Sequence, residues 1–162
     1  GRLEYESTTY EGKEPYEKNG FVINPGDPVK SIHIPSSGEP FDEAARLDSY
    51  KRAYEFFRDE LDGRPLVCVC HSWLLYPQNR VILSPASNIV SFIGDFDLIE
   101  SGSEEVFHDA WRVFGGEYQK PTAELPEKTS MQRAFKNWLL QGKQTGYGFG
   151  VLIFDGEKIV NR

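Results

Sequence analysis

Apolar and polar residues alternate along the first part of the chain, a pattern that indicates strands with one face in water. The stretch Arg2 to Thr9 follows this alternation and predicts a half-buried strand. Asn19-Gly20 is a strong hairpin signal before a short apolar run. Val29 to Pro35 then predicts a further strand. The chain is therefore expected to open with antiparallel strands.

The apolar spacing changes from two to three and four between Pro40 and Leu61, which predicts an amphipathic helix of several turns. Leu66 to Ser72 follows as a strand whose apolar residues bury both of its faces. Because a crossover helix joins parallel strands in the right-handed sense, the strands before and after this helix should lie parallel and end at one edge of the sheet. His33 and His71 are then expected near one cleft.

The second half of the chain predicts alternating helices and strands. The predicted elements are a short helix (Trp73 to Leu83), a strand (Asp95 to Ser101), a helix capped by Ser103 and ended by Gly115-Gly116, a helix with a Thr129/Gln132 capping box up to Gly142, and a strand (Gly146 to Phe154). In the third of these, Phe107, Trp111 and Phe114 are expected to face the core. The order of all elements predicts a mixed α/β (α+β) fold with an antiparallel start, a central crossover and helices on both faces of the sheet.

Composition narrows the class of partner. The 162 residues suffice for one domain with a substantial core, and 25 acidic against 18 basic residues give a net charge of -7. This balance argues against nucleic acid or an anionic membrane and favours a small-molecule substrate. The sequence contains neither a signal peptide nor an apolar stretch of membrane-spanning length, so a cytoplasmic location is expected. Since the chain does not begin with methionine, it is expected to be part of a longer protein.

Four segments, taken in order, resemble a known family: SIHIPSSGEPFDEAARLDSYKRAYEFF, VCVCHSWLLYPQ, SNIVSFIGDFDLIESG and TSMQRAF. They are similar to the C-terminal domain of bacterial GNAT-like acyltransferase proteins, in which a separate N-terminal domain comes first. The similarity spans about residues 30 to 140 and implies a GNAT-like fold for the single domain 1–162. It also implies that an acyl-CoA lies between two splayed strands, with its pyrophosphate on the N-terminus of the long helix.

On this sequence the resemblance makes Ser31 to Pro35 and Leu66 to Ser72 the splayed strands, and it makes Ser36, Ser37 and Gly38 candidate cofactor-binding residues. The loop departs from the usual motif, which has Gln or Arg followed by two residues, Gly, one residue, and Gly or Ala. Gly38 is its only glycine.

Acidic residues also occupy this loop and the start of the helix. Glu39, Asp42 and Glu43 place negative charge where the phosphates would lie. Carboxylates at this position also stabilise the helix, by roughly 0.3 to 1 kcal/mol each. The loop is therefore compatible with two hypotheses, a cofactor site and a helix cap.

Three residues are candidates for catalysis. His71 is either a general base or substrate hydrogen-bonding group, or a histidine satisfied at a strand end, and the same alternatives hold for His33. Ser72 is either the cap of the next helix or a nucleophile, although no Gly-x-Ser-x-Gly motif surrounds it. His71 is expected to be solvent-accessible in a pocket shared with His33 or Arg133.

Arg133 has no carboxylate at the i−4 position and is a candidate anion anchor for the cofactor. Cys68 and Cys70 are expected to remain reduced, and with three histidines they do not form a zinc pattern, so no metal is predicted.

Two functional hypotheses follow. The first is an acyl-CoA-dependent N-acyltransferase domain that transfers an acyl group to an amine. The alternative is a GNAT-like binding or interaction module that has lost catalysis.

Overall fold

The computed structural model describes residues 1–162 and contains a five-stranded mixed sheet beside a separate two-stranded hairpin. The strands are β1 (Glu4–Thr9), β2 (Tyr16–Lys18), β3 (Phe21–Ile23), β4 (Pro28–His33), β5 (Leu66–Ser72), β6 (Asp97–Glu104) and β7 (Thr145–Phe154). The α-helices are α1 (Glu43–Phe56), α2 (Arg58–Leu61), α3 (Asn79–Ile82), α4 (Asn88–Ile93), α5 (Ala110–Phe114) and α6 (Ser130–Leu140). The longest of them has 14 residues, and none is both long and apolar enough to span a bilayer.

The strand order in the large sheet is β1-β4-β5-β7-β6. β1 pairs with β4 in the antiparallel sense, β4 with β5 in the parallel sense, and β7 with both β5 and β6 in the antiparallel sense. The predicted fold class is therefore confirmed, and so is the prediction that the strands holding His33 and Cys70 are parallel neighbours.

Each face of the sheet carries its own hydrophobic core. Cys68 and Cys70 of β5 are fully buried in the cluster that contains Tyr50 of α1, whereas Val69 belongs to the cluster of the β2–β3 hairpin. This division confirms that β5 is buried on both faces, because successive side chains of a strand point to opposite sides. A third cluster joins α5 to α6 through Phe114 and Phe135.

The predicted long helix is present, but it begins three residues later than expected. The Asp42 side chain caps α1 by accepting a 2.8 Å hydrogen bond from the Ala45 N–H. The helix is interrupted at Phe57 and ends after α2, where Asp62 and Gly63 adopt positive φ angles.

The predicted helix starting at Ser103 is wrong. Ser103 lies in β6, which continues to Glu104 because its backbone pairs with Gly146 and Thr145 of β7. Only the five-residue α5 remains helical, and Trp111, predicted to face the core, is 49% exposed.

The short helix predicted from Trp73 to Leu83 is divided in two. A 3₁₀ turn covers Trp73–Leu75, Pro77 interrupts the pattern, and α3 begins at Asn79. The capping box of Thr129 and Gln132 is confirmed at the start of α6.

Candidate functional site

The parallel strands β4 and β5 pair over a short distance and then separate. Their register joins Lys30 to Cys68 and Ser31 to Val69, and no pairing follows. Both strands remain paired on their outer sides, β4 with β1 up to His33 and β5 with β7 up to Ser72. The inner edges of β4 and β5 are therefore free at their C-terminal ends.

A cavity of about 620 Å³ opens at this divergence. Its apolar lining comes from β4, the following loop, the 3₁₀ turn, α4 and α6, and consists of Ile32, Ile34, Pro35, Phe41, Trp73, Leu74, Ile89 and Met131. The polar lining includes all three histidines of the chain, two arginines, and the carboxylates of Glu4, Glu104 and Asp109. The cavity thus combines an apolar wall with groups that can bind charge and transfer protons.

His71 lies on the wall of this cavity and is exposed. Its ring is 4.7 Å from that of Tyr147, centroid to centroid, and 6.3 Å from that of Phe149. No hydrogen bond to the rest of the protein holds either ring nitrogen. The prediction of an accessible His71 in a pocket shared with His33 is confirmed, and both nitrogens are free to meet a ligand.

His33 lines the same cavity from β4, and 52% of its side chain is exposed. Its Nε2 lies 2.9 Å from Oε2 of Glu6 on β1. His33 therefore has a partner that His71 lacks. The Nε2 atom of His33 is engaged by Glu6, whereas both ring nitrogens of His71 remain free to meet a ligand.

Ser72 also lines the cavity, but its Oγ accepts a 3.1 Å hydrogen bond from the Leu74 N–H and so caps the 3₁₀ turn. This contact supports the capping alternative. No histidine ring nitrogen lies within hydrogen-bonding distance of this hydroxyl, so nothing in the chain activates it as a nucleophile.

Of the three candidate cofactor-binding residues in the loop after β4, only one reaches the cavity. Ser36 lines the cavity, whereas Ser37 and Gly38 are exposed outside it. The Ser37 hydroxyl accepts a 3.3 Å hydrogen bond from the N–H of Glu39. Gly38 has a φ of +71°, so its conformation, rather than contact with the cavity, explains the glycine.

Arg133 is not brought to the cavity. It is exposed, and its Nη1 donates to the backbone carbonyls of Glu127 and Lys128 at 2.9 and 3.3 Å. The guanidinium therefore stabilises the loop before α6. Of the two residues expected to share the pocket of His71, the structure places His33 there and not Arg133.

A buried ion pair fixes the apolar wall of the cavity. Arg46 of α1 donates to Asp95 at 2.8 Å, to the hydroxyl of Ser91 on α4 at 2.7 Å, and to the carbonyl of Phe41 at 3.0 Å. Tyr50 donates to the same Asp95 oxygen at 2.9 Å. These bonds hold α4 and the loop residue Phe41 against the start of α1.

The buried cysteines do not contribute a nucleophile. Burial raises the pKa of Cys70 to about 12 and raises that of Cys68 as well. Both thiols are fully buried on the α1 face of the sheet, away from His71. The thiols are therefore protonated at neutral pH and inaccessible.

Several polar cavity residues escaped the sequence reasoning, and three of them, His108, Asp109 and Arg112, are close together in the sequence. They lie between β6 and the end of α5, in the stretch that the apolar spacing predicted as one helix. Tyr147 was likewise taken only as part of a strand. It donates a 3.3 Å hydrogen bond to Glu100, and partial desolvation and this carboxylate raise its pKa. The sequence signal available was the grouping of a histidine, an aspartate and an arginine within five positions, beside the apolar residues of the predicted helix.

Comparison with solved structures finds acyltransferases with the same fold. An acyltransferase in complex with decanoyl-CoA and teicoplanin is 28% identical with a TM-score of 0.73, and one in complex with CoA and 10C-teicoplanin is 27% identical with a TM-score of 0.72. An acyltransferase mutant in complex with octanoyl-CoA is 25% identical with a TM-score of 0.70. Each match covers 95% of this chain and 45% of the other chain, so the present chain spans less than half the length of these proteins.

No curated protein matches the chain. The family model of the GNAT-like C-terminal domain matches residues 1–152, which is almost the whole sequence. Together with the diverging parallel strands and the cavity between them, this match identifies the chain as a member of the GNAT-like C-terminal domain family.

Proposed function

We propose that the cavity between β4 and β5 binds an acyl-CoA and transfers its acyl group to an amine. The observation that carries the proposal is the divergence of two parallel strands whose inner edges are free beyond Ser31 and Val69. Free strand edges offer backbone donors and acceptors to an extended, amide-bearing arm such as that of CoA. The similar solved acyltransferases hold CoA, octanoyl-CoA or decanoyl-CoA.

The acyl chain is assigned to the apolar wall. Trp73, Ile89 and Met131 lie on this wall and come from three different elements. An aliphatic chain placed there leaves water, and each buried methylene contributes about 0.8 kcal/mol. The thioester would then lie near the C-terminal ends of β4 and β5, within reach of the polar side of the cavity, which carries His71.

His71 is proposed as the general base. The amine nitrogen attacks the thioester carbonyl carbon, the carbon–sulfur bond breaks, and the sulfur leaves as the thiolate of CoA. His71 accepts the proton that the amine loses and then gives a proton to the thiolate, so that CoA dissociates as the thiol and the imidazole is regenerated. A backbone N–H on a free strand edge stabilises the carbonyl oxygen as its negative charge develops.

A noncatalytic binding module is the second candidate, and the start of α1 favours it. The Asp42 carboxylate accepts a hydrogen bond from the Ala45 N–H, and Glu43 lies in the first turn of the helix. These two negative charges disfavour phosphate binding at this N-terminus. Such a module would bind a ligand in the cavity without turnover.

One assay separates the two candidates. The 162-residue chain is incubated with octanoyl-CoA and a panel of primary amines, and thiol release and amide product are measured together. The acyltransferase proposal predicts amide formation that requires His71. Saturable binding of octanoyl-CoA without amide from any amine would support the binding module instead.

A further inference from the structure

We propose that the phosphate groups of acyl-CoA bind to the guanidinium groups of Arg112 and Arg2, rather than to the N-terminus of α1. This inference rests on the proposed acyl-CoA function and adds the residues that recognise the charged part of the donor. Arg112 comes from α5 and Arg2 from the residues before β1, so neither belongs to the loop that leads into the helix.

Two of the N–H groups near the start of α1, those of Ala45 and Arg46, already have partners. Asp42 Oδ1 accepts from the Ala45 N–H at 2.8 Å, and the Arg46 N–H donates to the Asp42 carbonyl at 3.1 Å. In the preceding loop, the Glu39 N–H donates to the Ser37 hydroxyl. A phosphate at this helix end would lie beside the carboxylates of Asp42 and Glu43, and their negative charge opposes anion binding.

The cavity supplies permanent positive charge from two other sites. Arg2 and Arg112 are the only arginines in its lining, which contains no lysine. Arg2 Nη1 donates to the carbonyl of Pro35 at 2.8 Å, and its guanidinium lies 4.9 Å from the ring centroid of Phe41. Arg112 Nη1 is 3.4 Å from the hydroxyl of Ser36. Both side chains therefore flank the loop after β4.

Arg112 retains the capacity to bind a further anion. Its Nε lies 3.5 Å from Asp109 Oδ1, its guanidinium carbon lies 4.6 Å from the ring centroid of the exposed Trp111, and 34% of its side chain is exposed. A guanidinium has five N–H donors in a planar fork that matches phosphate oxygens. These contacts leave Nη2 without a partner, and the long, partly exposed pair with Asp109 can yield to a phosphate.

Calorimetry with coenzyme A and with pantetheine, which lacks the phosphates together with the adenosine that they carry, tests this assignment. Arg112→Ala should weaken coenzyme A binding about tenfold or more and leave pantetheine binding unchanged, since charged hydrogen bonds contribute most to such recognition. Arg112→Lys should lose less affinity for coenzyme A than Arg112→Ala, because lysine keeps the positive charge but lacks the planar set of donors. The charge-matched control is Arg80→Ala on α3, outside the cavity, which should change neither affinity.

Three results would overturn the inference. In the first, the wild type binds coenzyme A no more tightly than pantetheine. In the second, Arg112→Ala keeps its full affinity for coenzyme A. In the third, that variant loses affinity for both ligands equally. Failure of the proposed function gives a different result. Tight, Arg112-dependent binding of octanoyl-CoA without acyl transfer would remove the catalytic proposal and leave the phosphate assignment intact.

Discussion

The two ends of the β4–β5 pair differ in how their polar side chains are satisfied. At the closed end, Lys30 is 3% exposed, and its Nζ lies 2.7 Å from Glu60, 2.8 Å from the Ser7 hydroxyl and 4.0 Å from the ring centroid of Phe57. At the open end, His71 is exposed and lacks any hydrogen-bond partner in the protein. A polar group whose bonds are all made within the chain stabilises the fold, whereas one left free in a cavity is available to a ligand.

His71→Ala is expected to have the largest effect. Because general bases contribute about 100-fold or more to such reactions, turnover should fall by at least about 100-fold. The free energy of unfolding should change by less than about 0.5 kcal/mol, since the side chain is exposed. Steady-state kinetics and urea denaturation measure the two effects. A variant that keeps its activity and loses stability would show that His71 is structural.

Lys30→Ala should give the opposite result at the closed end. The substitution removes two hydrogen bonds and a cation–π contact, and we expect a loss of about 2 kcal/mol of stability. Glu60 stays hydrated in the variant because 57% of its side chain is exposed, so no buried charge is left behind. Turnover per folded molecule should be unchanged. A fall in turnover with unaltered stability would contradict the distinction between the two ends.

Neutralising the acidic residues Glu39 and Asp42 should have a smaller effect, a change of a few-fold in the affinity for acetyl-CoA. The double variant Glu39→Gln, Asp42→Asn removes two negative charges near the loop that follows β4, and Asn is also a good helix cap. The affinity for acetyl-CoA should rise, and the gain should shrink at high salt. Calorimetry at two ionic strengths measures this. Unchanged affinity would mean that the phosphates lie beyond the reach of these carboxylates.

The smallest expected effect is the pH dependence of stability that arises from the buried thiols. Burial raises the pKa of Cys70 to about 12, from 9.0 for a thiol in water. Its contribution to stability is therefore complete below pH 9 and declines as the pH rises from 9 toward 12, because only unfolded thiols ionise there. A thiol reagent at pH 8 should label neither cysteine before unfolding. Rapid labelling of the folded protein would show that β5 opens.

The strand, helix, strand unit could be predicted because its local signals agree. The period change after Pro40, the Asp62-Gly63 stop and the apolar run from Leu66 all pointed to one crossover. The position of His71 in the cavity followed from that topology.

The polar cavity residues His108 and Arg112 could not be predicted in the same way. The residues from Ser103 onward have helical spacing, yet β6 extends through Ser103 to Glu104 because the glycines of β7 allow close approach. A Cβ on Gly148 would lie 2.2 Å from the Leu75 carbonyl oxygen, and one on Gly146 would lie 2.0 Å from that of Gly102. This pairing is set by contacts distant in sequence, and it moves His108 and Arg112 to the cavity.

A crystal structure with octanoyl-CoA tests the central claim most directly. We expect the thioester to lie between the free edges of β4 and β5, with the acyl chain against Trp73 and Ile89. A ring nitrogen of His71 should face the carbonyl carbon, with room for an amine between them. An acyl-CoA bound elsewhere on the protein, with the two strands closed over an empty cleft, would contradict it.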